Sequence, residues 1–376
     1  MRISDSKFLD PTEICILKNA WRSNRRDSES QIYSTVECET EGVAQFLHGG
    51  DVQFVDSTAA ISVFNLRSES LWGSIDAPSY SGLRSSQELG FQNLDQPTSI
   101  LHRLVLKTQG RPLWEFRDYL ELLLGFRAAL VGHQGLWSQG ILHRDISAGN
   151  IMLSASATPN VGQEGFIMDL EYCRLRHLIE LEYGDAASDD KDSPIVGLNG
   201  GIMTGTAQFM AVEKLLTILG SDPPFEHKVY HDLESFIWVF AYAVIRHLMS
   251  ETRFDSSTKK DIEAWFKQTF CQLTLPQVRF HRECRLPFEI PTSVVKQVKE
   301  NPRLLPKSIR GFLYAMSRIR IPQNRSFSDE DDVDLQQLAQ AYGFINRNIV
   351  CRLTHELLLK DVDATISRLR AEMADW

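Results

Sequence analysis

The most constraining stretch of this sequence is a polar loop set between two apolar runs, GILHRDISAGNIML at residues 140–153. The apolar residues on either side read as short strands entering and leaving a core, so the charged residues between them are held at its edge. Nineteen residues after Asn150 another apolar run, FIMDL, ends near Asp169. Asp145 and Asn150 lie five residues apart on one loop, so its two ends can face different groups. Phosphoryl transfer asks for such a pair: a carboxylate that orients and deprotonates the attacking hydroxyl, and oxygen ligands that hold Mg²⁺ against phosphates. Asp145 suits the first role, and Asn150 and Asp169 suit the second.

Composition narrows the alternatives. With 376 residues the chain can bury a substantial core, and its length suits two structural units or a single large bilobal unit. Its 40 Lys and Arg against 49 Asp and Glu, a net charge of −9, argue against nucleic acid or an anionic membrane as partner, since both are bound mainly by basic side chains. The six cysteines are scattered without a CxxC pair and are expected as reduced thiols. No apolar run is long enough to span a bilayer, and the first residues carry no leader-like apolar segment. These features predict an intracellular protein of the cytoplasm or nucleus.

Along the chain, residues 8–18 end in a strand-like stretch, and a helix is expected from SESQIY, capped by Ser28 or Asp27. Residues 56–99, rich in Ser with little periodicity, read as a long loop or insertion. LHRLVLK at 101–107 reads as a strand, GRP as a turn, and 113–138 as one helix. Further helices are expected at 208–220, 231–250, 258–273, 308–318 and 350–374, the last packing its apolar face on the body. Acidic runs at 185–192 and 326–334 hold much of the negative charge. The second is expected to cap a helix starting near Leu335.

Two more segments extend the pattern. GTAQFMAVE at 205–213 has the length and end residues of a G-T-x-x-x-x-A-P-E stretch, and His231-Asp232 opens the apolar helix SFIWVFAYAVI. The loop itself matches H-R-D-x-x-x-x-N. Together GRPLWEF, GHQGLWSQGILHRDISAGNIM, GTAQFMAVE and YHDLESFIWVF resemble the fungal-type protein kinase family, a divergent branch of the protein kinases. The resemblance covers about residues 14–50 and 100–250.

That resemblance implies an α+β, bilobal protein-kinase-like fold. A small β-containing N-lobe would end at about residue 106, 107–112 would form a hinge, a mainly helical C-lobe would run over 113–320, and 321–376 would be a C-terminal extension. It implies an ATP-dependent kinase of protein Ser/Thr residues, with ATP and Mg²⁺ as cofactors and ATP seated near 104–112. It assigns Asp145, Asn150, Arg144 and Thr206 to catalysis, Thr206 lying beside Asp145. Lys18 would pair with Glu29 and contact the α- and β-phosphates, with Glu37, Glu39 and Glu41 as competing partners. Glu213 would anchor its loop through an Arg. Asp232 would accept N–H groups under the catalytic loop, its alternative being a plain helix N-cap.

The family pattern is not met everywhere. Only 17 residues precede Lys18 and none is Gly, so a Gly-rich loop is missing ahead of it. Either the chain begins within the domain or nucleotide binding is weakened. Glu171 stands where the metal-binding turn usually has Gly, and Ser147 where a Lys usually contacts the transferred phosphate. The 44-residue interval from Asp169 to Glu213 carries Ser188, Ser193 and Thr204, whose phosphates could pair with Arg144. Ser326 and Ser328, ahead of an acidic run, resemble acceptors for an acidophilic kinase. Two rival readings remain: a choline- or aminoglycoside-type small-molecule phosphotransferase, which shares the loop but has no counterpart of GTAQFMAVE, and a pseudokinase scaffold, against which the joint presence of Lys18, Asp145, Asn150 and Asp169 speaks.

Overall fold

A computed structural model describes residues 14–24, 26–37, 40–54, 58–63, 99–175, 205–219, 227–271, 274–283, 288–318 and 353–376. It is a mixed α/β structure that divides into two compact units, one of residues 1–37 and 44–109, the other of 38–43 and 110–376. The short segment 38–43, expected with the N-terminal region, belongs to the larger unit.

In the smaller unit, β1 (Ile16–Ser23), β2 (Phe46–Asp51) and β3 (Ser99–Leu106) form an antiparallel sheet in the order β1-β3-β2, and α1 (Glu29–Thr35) follows β1. β3 is central, so its Leu104 and Leu106 are buried, while β1 lies at an edge and leaves Ile16, Leu17 and Trp21 exposed. Helix α1 begins where sequence favours it. The Ser28 hydroxyl accepts the Gln31 N–H at 3.3 Å, and the Gln31 side chain accepts the Ser28 N–H at 2.8 Å, a reciprocal cap. Of the two proposed caps, Ser28 is the one used.

Strand β2, FLHGGD, has no sequence signature, since two of its six residues are Gly and glycine is disfavoured in strands. Packing explains one of them: a Cβ at Gly49 would stand 2.8 Å from Ser30 Cβ and 2.9 Å from Leu104 Cδ1. Within the expected insertion at 56–99, residues 58–63 are described: the Ile61 N–H bonds to Val52 O at 2.7 Å and Ile61 O accepts the Leu101 N–H at 2.8 Å. Its residues 56–57 and 64–98 lie outside the described set.

The first strand of the larger unit is β4 (Gly110–Pro112), where a turn was expected, paired with β6 (Ile151–Ser154), which pairs in turn with β7 (Gly165–Ile167). A 3₁₀ turn over Leu113–Glu115 precedes α2 (Tyr119–Ser138). The single helix expected over 113–138 is therefore two elements. Asp118 accepts the Glu121 N–H at 2.9 Å and caps α2, which starts at Tyr119 rather than at 113. β5 (Ile141–Leu142) and β8 (Arg174–Leu175) pair beside the 143–150 loop.

The remaining helices are α3 (Val212–Leu219), α4 (Val229–Ser250), α5 (Ser256–Phe270), α6 (Leu275–Glu283), α7 (Thr292–Glu300), α8 (Lys307–Arg318) and α9 (His355–Ala374). The core lies between α2, α4 and α8. Phe126 meets Phe236 and Phe240 edge-on, at 5.7 and 5.1 Å between ring centres, and Phe240 meets Phe312 at 4.9 Å. The terminal helix α9 packs on α2 and α8 and is integral to this unit's body. The acidic runs, with Ser188, Ser193, Ser326 and Ser328, and the helix expected near Leu335 lie outside the described residues. Among the described residues no helix is long and apolar enough to cross a membrane.

Candidate active site

Helix α2 leads to Gly140, whose φ of +77° turns the chain into buried β5. His143 follows and is fully buried. Its Nε2 lies 3.1 Å from the Met168 carbonyl, and its Nδ1 is 3.3 Å from the Asp145 N–H. A carbonyl can only accept and a backbone N–H can only donate, so His143 is neutral with its proton on Nε2. Burial lowers its pKa in the same sense. The ring thus fastens the first half of the loop to the strand end that carries Asp169.

Asn150 fastens the second half. Its Nδ2 donates to the Asp145 carbonyl at 2.8 Å and sits 3.5 Å from Asp145 Oδ2. Its N–H donates to Ser147 O at 3.0 Å, and its carbonyl accepts the Met168 N–H at 2.9 Å. Asp145, Asn150 and the segment leading to Asp169 are therefore tied together by backbone and amide bonds. Because Nδ2 faces the Asp145 carbonyl, Oδ1 of Asn150 is left as a hard oxygen donor. That amide oxygen and the Asp169 carboxylate are oxygen donors of the kind Mg²⁺ takes, so the chemistry of these residues suits the ion.

Two non-glycine residues here adopt the left-handed region, Arg144 at φ 67° and Asp169 at φ 68°. Such conformations cost about 1–2 kcal/mol each and persist where the surroundings over-determine them. Arg144 is held by its N–H, which donates to Asp232 Oδ2 at 3.0 Å. Asp169 lies between Met168, bonded on both sides, and buried Leu170, whose carbonyl accepts the Cys173 N–H at 3.1 Å. Glu171 is not among the positive-φ residues, so this turn does not require the Gly that the family pattern places there.

Asp232 is buried in α4 and accepts more than the Arg144 amide. His227 Nε2 is 2.6 Å from Oδ1, and His133 Nε2 is 3.1 Å from Oδ2. Burial alone would raise this carboxyl. The attraction of His227 and the hydrogen bonds from His133 and His227 outweigh it and hold the group well below the usual carboxylate range. Asp232 is not an N-cap: the capping position is Lys228, whose N–H donates to His231 Nδ1 at 2.8 Å.

The segment 205–213 begins with a 3₁₀ turn, Gly205–Phe209, on which Thr206 falls; the Thr206 side chain lies outside the described set. Ala207, with Leu215 of α3, enters a small core with Leu275 and Val278 of α6, against which Met210 packs. Glu213 is exposed and accepts from Tyr230 Oη at 2.8 Å and His231 Nε2 at 3.1 Å. Burial would raise its pKa, but these two donors lower it. An arginine does hold the segment, by another route: Arg282, buried over the Trp238 ring at 4.3 Å, donates to the Gln208 carbonyl. Glu234 accepts the Val212 N–H at 2.5 Å.

Lys214, on the first turn of α3, was not foreseen. Burial lowers its ammonium pKa, as does the charge of Arg144, while Asp232 and Asp145 pull it up. A lysine in the field of Asp145 thus comes from α3, although the loop itself has Ser147 at the usual lysine position.

In the smaller unit, Lys18 Nζ lies 2.8 Å from Glu29 Oε2, with Glu29 buried. The Ser28 cap places Glu29 at the first helical position, which selects it over the other glutamates.

No curated protein matches the sequence. The fungal protein kinase family model matches it over residues 4–244, a span that takes in the Lys18–Glu29 pair, the 143–150 loop, Asp169, Glu213 and Asp232, and the chain belongs to that family.

Proposed function

We propose that this chain transfers the γ-phosphoryl group of ATP to Ser or Thr hydroxyls of protein substrates. The observation that carries the reading is the Asn150 amide bonded to the Asp145 carbonyl and turned toward Oδ2, inside a loop whose strained Arg144 is held by Asp232. Asp145 orients the acceptor hydroxyl and takes up its proton. Asn150 and Asp169 hold Mg²⁺, which when bound neutralises phosphate charge. Lys18, steadied by Glu29, acts on the α- and β-phosphates. The packing of 205–213 through Ala207, Arg282 and Glu234 favours a protein acceptor over a small molecule, because it supports an ordered platform for an extended peptide. Thr206 in that segment supports Ser/Thr selectivity.

The test is Asp145→Asn in the full chain, assayed for transfer of labelled phosphate from MgATP to a panel of proteins. Loss of a general base costs about 10²–10⁴ in rate, or about 3–5 kcal/mol of barrier. Transfer at the unaltered rate by a folded variant would sink the assignment.

A further inference from the structure

The Asp232 network does not end at α4. His133, on α2, is completely buried and uses both ring nitrogens: Nε2 faces Asp232 Oδ2 at 3.1 Å, and Nδ1 faces His355 Nε2 at 2.8 Å. His355 is the first residue of α9, more than a hundred residues beyond the end of the family match at 244. A buried chain of hydrogen bonds therefore runs from the terminal helix through His133 and Asp232 to the Arg144 N–H. We propose that His355 is a positioning residue for the catalytic loop: by donating from Nε2 to His133 Nδ1 it fixes the ring whose Nε2–H steadies the Asp232 carboxylate that holds Arg144.

The proton placement follows from the partners. Asp232 is ionised and only accepts, so His133 carries a proton on Nε2. With His133 neutral, its Nδ1 is bare and requires a donor, and only Nε2–H of His355 stands opposite it in this pair. His355 stays neutral because burial, and then the neighbouring His133, push its pKa down to about 3. Take the His355 donor away and the Nδ1 lone pair of His133 is left buried without that partner, so the ring shifts to find another. Its Nε2–H then no longer meets Oδ2 squarely, on the oxygen that also accepts the Arg144 amide. The left-handed turn at Arg144 has that bond to hold it in place, so the loop loses order.

Helix α9 is held firmly enough to present this donor. The Thr354 hydroxyl caps it, accepting the Leu357 N–H at 3.3 Å, Asp363 pairs with Arg127 of α2 at 2.5 Å, and Glu372 accepts the Ser308 N–H of α8 at 2.7 Å. The ring contact itself is tilted, with His133 and His355 centres 5.0 Å apart, so the pair meets edge to edge through nitrogen.

The effect on catalysis rests on the kinase reading above, whereas the effect on loop order does not. The experiment compares full-length His355→Leu and His355→Gln with the parent chain, reading amide hydrogen exchange and phosphotransfer kinetics. Leu keeps bulk and removes the donor; Gln restores an N–H near the Nε2 position. In His355→Leu, exchange of 143–150 is expected to rise about tenfold or more and kcat to fall about tenfold, as for other supporting partners of a site. The KM for MgATP and the protection of 357–369 should stay as in the parent, and His355→Gln should return the first two toward parent values. Unchanged exchange at 143–150 in His355→Leu overturns the proposal, as does a Gln variant that behaves like Leu. If His355→Leu fails to fold, His355→Gln decides: native exchange at 143–150 supports the donor role, and lost protection overturns it. If the parent chain transfers no phosphate, the kinase reading fails and the exchange comparison still decides this inference.

Discussion

Replacing Asp232 by Asn removes one charge and one acceptor from a site where three donors converge. His227 Nε2 sits 2.6 Å from Oδ1, and His133 Nε2 and the Arg144 N–H sit 3.1 and 3.0 Å from Oδ2. An amide offers a single oxygen. If it faces His133 and Arg144, its NH₂ opposes His227; if it turns round, the NH₂ opposes the other two. One or two hydrogen bonds to a charged group are lost, at about 1.5–3 kcal/mol each, and no water replaces them because Asp232 is buried. Removing one member of a buried charged cluster costs about 3–5 kcal/mol, and total stability is only about 5–15 kcal/mol. Urea denaturation followed by tryptophan fluorescence should show that loss in Asp232→Asn. Exchange at 143–150 should rise as Arg144 leaves its φ of 67°, and phosphotransfer should fall further than the fraction unfolded explains. A stability loss below about 1 kcal/mol with an unaltered loop would refute the idea that this carboxylate holds the turn.

Acid should weaken the same region before ordinary carboxylates titrate. Burial pushes His231 to about 4 and His355 to about 3 from an ordinary 6.5, so the unfolded chain binds more protons than the native one in that window. Stability is full above pH 6.5 and is lost as pH falls toward 4, with about 1 kcal/mol from each ring by pH 5 after discounting for screening; a flat melting temperature from pH 7 to 5 would count against it. Gly132→Ala in α2 should reverse the usual helix gain of about 1 kcal/mol, because its Cβ would stand 2.0 Å from the Gly42 carbonyl oxygen. Thermal melting should show a loss of about 1–3 kcal/mol, while Gly50→Ala, with nothing within 4 Å of its Cβ, should show no such loss. Ser28→Ala should cost about 0.5–2 kcal/mol and raise amide exchange at 31–33, next to the Lys18–Glu29 pair.

The loop that holds Asp145, Asn150 and the approach to Asp169 was legible because the chemistry proposed for it fixes residue types and the loop fixes their spacing. Asp145, Asn150 and Asp169 need no distant partner to be recognised, and the structure shows the bonds that bring their segments together. The Lys18 partner was ambiguous for a local reason. Four glutamates follow Lys18 within 23 residues, and the choice depends on where α1 starts, which the Ser28–Gln31 cap decides. The same kind of signal, Asp118 followed three residues later by Glu121, marks the true start of α2 and was overridden by the apolar residues at 113 and 116. Strand β2 was hidden by its glycines, of which Gly49 serves the close approach of Ser30 and Leu104.

What supports the loop was not legible, and the reason is the chemistry of the groups involved. His133, His227 and His355 lie 99, 5 and 123 residues from Asp232, and no periodicity joins them. A buried imidazole also gives no pattern of its own, since it fills a core position as an apolar residue would. Only the direction of each ring nitrogen distinguishes packing from a hydrogen-bonded strut. The family match stops at 244, yet the loop it contains leans on a helix that starts at 355. Sequence comparison thus finds the groups that the proposed transfer would use, while the groups that hold them come from wherever the chain places a donor of the right tautomer. By this reasoning, His133→Gln in the full chain would keep Asp145, Asn150 and Asp169 but break the bonded path from His355 to Asp232. It should therefore show weaker protection at 143–150 than the parent chain, and equal protection would place the support of the loop wholly with Asp232 and His227.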